Sequence, residues 1–328
     1  MNNSVLITGG CGFIGSHLVE FFLKKKFNIT ILDKYNVDNN WGHLQNFKNK
    51  KNKNLKIILG DIRDYDCVLK SIKGNDSVIH LAALGGIPFS YFSPLAYLKT
   101  NTEGTYNVLE ASKSLKTKQV LIFSTSETYG SAQFVPMDEK HPKVAQSPYA
   151  ASKIAADQIA ISYHKSFNTP VKIVRPFNVF GERQSDRAII PTIISQLLDN
   201  SIKSVELGNI DTTRDFTYVS DVCDAIYKIF NSNFFLGKEV NIGSNQEISI
   251  DELFNTIENI LKIKKKIKII KYRKRKNTSE VTRLLCDNNL ILKKTNWKPK
   301  IGLIKGLKKT TLWLKKNQKY YNSKFYNI

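Results

Sequence analysis

Tyr149 and Lys153 stand four residues apart in Tyr-Ala-Ala-Ser-Lys. On a helix that spacing puts both side chains on one face. An ammonium beside a phenol lowers the phenol's pKa, and the resulting phenolate can take a proton from a hydroxyl group. Upstream, Ser124-Thr125-Ser126-Glu127 follows the apolar run that begins at Gln119, so hydroxyls and a carboxylate sit where a strand should end. In open α/β sheets the carboxyl ends of the strands are where ligands bind. A lone Tyr-x-x-x-Lys arises by chance in a chain rich in both residues, so its meaning depends on its company.

That company begins at the N-terminus. Gly9, Gly12 and Gly15 form Gly-x-x-Gly-x-x-Gly between one strand-like run and one helix-like run. Such a turn needs positive φ, a backbone that approaches a pyrophosphate closely, and tight packing of helix on strand. The helix N-terminus then presents free N–H groups and a partial positive charge to the phosphates. Asp33 lies 18 residues beyond Gly15, at the end of the next strand. A carboxylate there accepts hydrogen bonds from both adenosine ribose hydroxyls and repels a 2′-phosphate, which favours NAD over NADP. Asp61-Ile62-Arg63 follows the third strand and is placed to flank the adenine. His80-Leu81-Ala82-Ala83 follows the fourth, where small residues let a cofactor lie across the strand ends. His80 itself reads as a buried, satisfied histidine rather than a base.

These residues need a sheet to hold them. Short β-branched runs at 5–8, 28–32, 56–59, 77–81, 119–124 and 172–175 alternate with helical patterns such as 14–24. Alternating β and α with apolar strands implies a parallel, doubly wound sheet covered on both faces. After about residue 180 longer helices are expected at 189–199, 222–230 and 251–262, and 266–271 alternates Ile and Lys as a half-exposed strand does. Residues 36–54 read as an exposed loop or irregular helix. The expected division is a dinucleotide-binding Rossmann domain over 1–180 and a smaller α/β domain over 181–328, interleaved with the first.

Composition narrows the class. The chain has 328 residues, 41% of them hydrophobic, which supports a sizeable core. The formal charge of +22 comes from lysine spread along the chain, and no nucleic-acid motif accompanies it. Neither a nucleic acid nor a membrane is therefore expected as a partner. Cys11, Cys67, Cys223 and Cys286 are scattered, as reduced thiols of a cytoplasmic protein would be, and no metal site is expected. The first apolar run leads straight into the glycine loop, so no signal peptide is expected. No apolar stretch approaches the roughly 20 residues that span a bilayer.

Gly9 to Gly15, Thr125, Tyr149 and Lys153 together resemble the extended short-chain dehydrogenase/reductases, the family of nucleotide-sugar epimerases, dehydratases and decarboxylases. The similarity runs from Val5 to about Leu314. It includes Asn101-Thr102-Glu103-Gly104-Thr105, Arg175-Pro176-Phe177-Asn178 and Thr213-Arg214-Asp215-Phe216. The resemblance implies NAD as cofactor, held by Gly9, Gly12, Phe13, Ile14, Gly15, Asp33, Asp61, Ile62, Leu81, Ala82, Ala83, Tyr149, Lys153 and Pro176. It implies a nucleotide-diphosphate sugar as substrate, contacted by Ser90, Asn178, Arg187, Arg214 and Arg275. Arginine suits bidentate phosphate recognition. Arg183 and Arg187 either serve that region or pair with acidic residues on the surface. Relatives commonly form homodimers through a helix bundle that includes the Tyr149 helix.

Glu127 bears on the reaction. A 4-epimerase only oxidises C4, rotates the ketosugar and reduces it again. A 4,6-dehydratase also removes the C5 proton, and Glu127 resembles its base. Many hexose dehydratases carry Thr-Asp-Glu at this place, whereas here the middle residue is Ser126, so the acid that assists water loss is Ser126, a water, or Glu127 acting twice. Leu84 to Tyr91, Arg183 to Pro191 and Ser279-Glu280-Val281 resemble the 4,6-dehydratases of legionaminic acid synthesis, which act on nucleotide-linked N-acetylglucosamine. Arg275-Lys276 stands where Arg-Pro is usual. The expected catalytic set is Thr125, Ser126, Glu127, Tyr149 and Lys153. A UDP-glucuronate decarboxylase, a 4-epimerase and a non-catalytic NAD-binding scaffold remain the alternatives.

Overall fold

A computed structural model describes residues 3–47 and 52–323 of the chain. Its strands, in chain order, are β1 (Ser4–Thr8), β2 (Asn28–Lys34), β3 (Leu55–Gly60), β4 (Ser77–His80), β5 (Gln119–Phe123), β6 (Val171–Pro176), β7 (Asn178–Phe180), β8 (Ser204–Leu207), β9 (Thr213–Tyr218), β10 (Glu239–Ile242), β11 (Glu247–Ser249) and β12 (Lys266–Ile269). The helices are α1 (Phe13–Lys24), α2 (Tyr65–Ile72), α3 (Ile87–Phe92), α4 (Pro94–Tyr97), α5 (Gly104–Ser114), α6 (Pro148–Phe167), α7 (Ile189–Leu198), α8 (Val219–Phe230), α9 (Ile250–Leu261), α10 (Asn289–Lys294) and α11 (Leu303–Lys316).

The main sheet is seven-stranded and parallel, in the order β10-β6-β5-β4-β1-β2-β3. Its strands carry apolar residues at consecutive positions because both faces are covered. Val5 and Ile7 of β1 join a core with Leu18, Val19 and Phe22 of α1 and with Val222, Ile226 and Ile229 of α8. Leu6 points the other way, into a core with Val68 and Ile72 of α2, Val108 and Leu109 of α5, and Ala160 and Tyr163 of α6. The order reverses at β1 and β4, and in such sheets the crevice at that switch point receives the ligand.

After Pro176 the chain leaves the main sheet and later returns to it. β7, β9 and β11 make a small three-stranded sheet, and β8 pairs with β12. A separate apolar core joins Ile190, Ile193 and Ile194 of α7 to Leu253, Phe254 and Ile257 of α9 and Leu307 and Leu314 of α11. Yet α8 packs on α1, and β10 pairs with β6 at the sheet edge. Helices expected at 189–199, 222–230 and 251–262 occur at 189–198, 219–230 and 250–261. The last begins with a reciprocal cap in which Ser249 Oγ accepts from Glu252 N and the Glu252 carboxylate accepts from Ser249 N. The Ile/Lys alternation makes β12, with Ile267 turned toward the apolar core and Lys266 and Lys268 outward. Residues 42–47 form a 3₁₀ turn whose Leu44 is buried, and 48–51 of the expected loop lie outside the described residues.

Candidate active site

The glycine turn closes at the carboxyl end of β1. Gly9 has φ of +72°, and a Cβ there would lie 2.8 Å from Ala82 N. A Cβ on Gly15 would lie 2.1 Å from the Gly9 carbonyl oxygen, so only glycine lets α1 approach the turn. No side chain caps the N-terminus of α1, which leaves its first N–H groups, those of Phe13 and Ile14 among them, at an open end. Asp33 is oriented by its neighbours: Cys11 N donates to Oδ2 at 2.7 Å and Lys34 N to Oδ1 at 2.8 Å. Asp61 is paired with Arg63 at 2.5 Å, beside the largely buried Ile62. Leu81 and Ala82 run on from β4, with Ala82 N donating to Thr8 Oγ1, and Ala83 is exposed. Pro176 closes β6, buried. An uncapped helix end, a cradle that a Cβ would fill and a carboxylate held at the tip of β2 fit the pyrophosphate and ribose of a dinucleotide.

His80 is satisfied where it stands. It is buried, Thr8 Oγ1 lies 2.7 Å from Nδ1, and Thr105 Oγ1 lies 3.1 Å from Nε2. Burial lowers its pKa to about 3, which makes it a neutral strut.

Helix α6 begins where Ser147 Oγ accepts from Ala150 N, and its first two turns carry Tyr149 and Lys153. Lys153 Nζ donates to the Phe123 carbonyl at 2.6 Å, tying the helix to the end of β5. Thr125 caps the short 3₁₀ turn Ser126–Tyr129, accepting from Glu127 N, and its side chain hydrogen-bonds Tyr149. Ser126 is buried. The expected lowering of the Tyr149 pKa by Lys153 does not hold here. Burial pushes Tyr149 up to about 12; the Thr125 hydrogen bond opposes this and the Glu127 charge adds to it. Lys153 turns its ammonium to the Phe123 carbonyl instead, and burial lowers its own pKa. Behind Lys153 lies a buried ionic network. Asp157 accepts from Ser124 Oγ at 2.6 Å and from Arg175 at 2.7 Å, and Arg175 also reaches Glu239 at 2.8 Å. The Asp157 charge supports the Lys153 ammonium.

Glu127 faces two arginines delivered by the second half of the chain. Both guanidinium nitrogens of Arg275 lie 3.5 Å from its carboxylate oxygens. Arg214, on β9, is largely buried, feels the charge of Glu127 and lies 3.8 Å from Glu280. Asn178 opens β7, and its buried Oδ1 has no hydrogen-bond partner among the described residues. Arg187 is exposed, but its charge acts on Tyr97, whose ring meets that of Tyr149 edge-on at 6.0 Å. Arg183 instead turns to α1, bonding Ser16 Oγ at 3.1 Å and Glu20 at 2.5 Å, so of its two expected roles it takes the acidic pairing. Ser90 does not face an open site: it is fully buried and donates to the Ile87 carbonyl at 2.7 Å, because α3 turns that position inward.

Three residues of this neighbourhood escaped the sequence reading as site residues. Tyr97 is buried, with its hydroxyl against the Gly85 and Gly86 carbonyls. Asn101 accepts from Leu84 N, and donates to the Leu84 carbonyl and to Ser152 Oγ, so it joins the end of the β4 loop to the helix between Tyr149 and Lys153. It sits in a π-helical stretch, Leu98–Glu103, and such bulges occur often at functional sites. Asp157 looked like an ordinary helix residue. The signal available was its spacing, four residues past Lys153 and eight past Tyr149 on one helical face.

Among the described residues, no cluster of His, Cys, Asp and Glu fits a metal ion, and no helix is long and apolar enough to cross a membrane. The comparisons with known proteins agree with this geometry. The model of the GDP-mannose 4,6 dehydratase family matches residues 6–310. A putative UDP-glucose 4-epimerase of Methanocaldococcus jannaschii is 32% identical over 96% of this chain and 99% of that protein. A UDP-N-acetyl-alpha-D-glucosaminuronate decarboxylase of Bacillus cytotoxicus is 31% identical over 96% and 98%. Among solved structures, DesIV, the dTDP-glucose 4,6-dehydratase of Streptomyces venezuelae crystallised with NAD and TYD, superposes with a TM-score of 0.89 at 26% identity, covering 97% of this chain and 98% of that one. A family match across nearly the whole chain, on a seven-stranded Rossmann sheet, means that the chain belongs to the GDP-mannose 4,6-dehydratase family of extended short-chain dehydrogenase/reductases, enzymes of nucleotide sugars.

Proposed function

We propose that this protein is an NAD-dependent 4,6-dehydratase of a UDP- or GDP-linked N-acetylglucosamine. The observation that carries the reading is the convergence of Thr125, Glu127 and Tyr149: a phenol hydrogen-bonded to a hydroxyl, with a carboxylate close enough to act on its ionisation. When bound, NAD supplies the capacity to accept a hydride from C4 and to return it at C6. Asp33 and the open end of α1 hold the ribose and pyrophosphate. Tyr149 takes the proton of the sugar O4, and Thr125 keeps O4 in place. Lys153, fixed by the Phe123 carbonyl and supported by Asp157, keeps a cation one helical turn from Tyr149. Glu127 removes the C5 proton, which the C4 ketone has acidified, and water leaves from C6. Ser126, a water or Glu127 itself gives the departing hydroxyl its proton. Arg214, Arg275 and Asn178 receive the diphosphate.

The pair between Glu127 and Arg275 favours one second reading. A guanidinium beside the C5 base would hold the carboxylate of a uronic acid, and loss of carbon dioxide after C4 oxidation would make the protein a UDP-glucuronate decarboxylase. The Bacillus cytotoxicus relative is named for such a reaction on an amino-uronic acid. Mass spectrometry of the purified enzyme with UDP- and GDP-N-acetylglucosamine and with UDP-glucuronate separates the two. Loss of one water from an acetylglucosamine donor is the expected result. Loss of carbon dioxide from the glucuronate moves the protein to the decarboxylases, and an unchanged mass in every donor removes the substrate claim.

A further inference from the structure

Two segments that the reaction does not use, α3 and the stretch after Arg275, meet in a chain of hydroxyl groups. Tyr91 OH lies 2.5 Å from Ser279 Oγ, and Ser279 Oγ donates to the Gln146 carbonyl at 2.5 Å. Since Ser279 spends its one proton on Gln146, Tyr91 is the donor to Ser279. The Gln146 side chain completes the knot, with Nε2 donating to the Thr278 carbonyl at 3.2 Å and Oε1 accepting from Ser131 N at 2.6 Å. Ser279 is buried, whereas Tyr91 is about a third exposed and its neighbour Phe92 mostly so. The hydroxyl chain therefore runs from a partly exposed ring to a buried serine. Its inner end adjoins the reacting groups: Ser279 lies four residues past Arg275, Arg275 holds Glu127, and Gln146 lies three residues before Tyr149.

We infer that Tyr91, Ser279 and Gln146 form a clasp that ties the arginine-bearing arm to the start of α6 and holds the oxidised sugar in the cleft until the cofactor is restored. Tyr91 and Ser279 are positioning residues. They act by fixing Arg275 relative to Tyr149. The inference rests on the proposed C4 oxidation of a nucleotide sugar but not on which reaction follows it. A ketosugar that leaves early takes the oxidised carbon with it and strands two electrons on the cofactor as NADH. Closure that excludes water and retains such intermediates is a general task of loops at active sites.

The test uses the NAD-loaded enzyme and its Tyr91→Phe, Ser279→Ala and Ser279→Thr variants with UDP- and GDP-N-acetylglucosamine. Tyr91→Phe and Ser279→Ala are expected to raise KM about tenfold, the scale of one net hydrogen bond. They should also leave several times more enzyme-bound NADH fluorescence per turnover than the parent, and Ser279→Thr should restore both quantities. A lower melting temperature with unchanged KM and unchanged stranded NADH would make the clasp a purely structural tie and overturn the inference. If the parent enzyme turns over neither donor, the proposed function fails separately. The clasp is then judged by UDP affinity in calorimetry, and equal affinity in parent, Tyr91→Phe and Ser279→Ala overturns it.

Discussion

At the scale of single residues, the site assigns different jobs to two neighbouring groups, the charge of one acting on the other. Tyr149 is held protonated by burial in the free protein, and Glu127 is held against Arg275. Removing the carboxylate while keeping its shape should separate the two steps. Glu127→Gln is expected to slow dehydration about 10²–10⁴-fold, the usual worth of a positioned base. Oxidation at C4 should persist in this variant, so NADH appears on mixing with donor and then stays. Stopped-flow fluorescence together with mass spectrometry checks this, and dehydration at the parent rate would remove Glu127 from the mechanism. Ser90 marks the limit of reading residues by resemblance. Its place in the loop suggested a sugar contact, but the turn that makes α3 points it inward, to the Ile87 carbonyl.

At the scale of elements, a buried lysine near the start of β6 ties that strand to α8. Lys172 is 1% exposed and its ammonium donates to Gln119 Oε1 and to the Ile229 and Phe230 carbonyls at the end of α8. A cation at a helix C-terminus is favourable, and three acceptors meet its three protons. Burial nonetheless lowers its pKa to about 8, below the unfolded value of about 10.4. Between those values the unfolded chain binds more protons than the folded one, so this group's contribution to stability rises with pH across that window. Lys172→Met should therefore cost about 1–3 kcal/mol by stranding buried acceptors. The gap in denaturation midpoint between parent and variant should widen from pH 8 toward about 10. A gap that narrows over that range would show that burial does not govern Lys172. The same element scale explains what helix and strand patterns missed. Helices α7, α8 and α9 were legible from their periodicity, while β7 is only three residues long and draws its partner β9 from far along the chain.

At the scale of the molecule, the net charge of +22 surrounds a cleft that the proposal fills with a diphosphate. A field of that sign raises the encounter rate with an anion and is screened by salt. kcat/KM for a nucleotide-sugar donor should fall several-fold between about 0.05 and 0.3 M salt while kcat changes little. A flat salt profile would confine the attraction to Arg214 and Arg275. The sequence by itself determined the alternation of strands and helices, the glycine turn with Asp33 beyond it, and the Tyr149–Lys153 helix face. Each of these follows from local spacing and backbone geometry, which neighbours in the chain impose on one another. Only the tertiary structure decided that Arg275 would meet Glu127, that Arg183 would turn to Glu20, and that Tyr91 would reach Ser279. Those contacts join residues from different elements, most of them more than a hundred positions apart, and no periodicity encodes which side chain a folded chain brings opposite another.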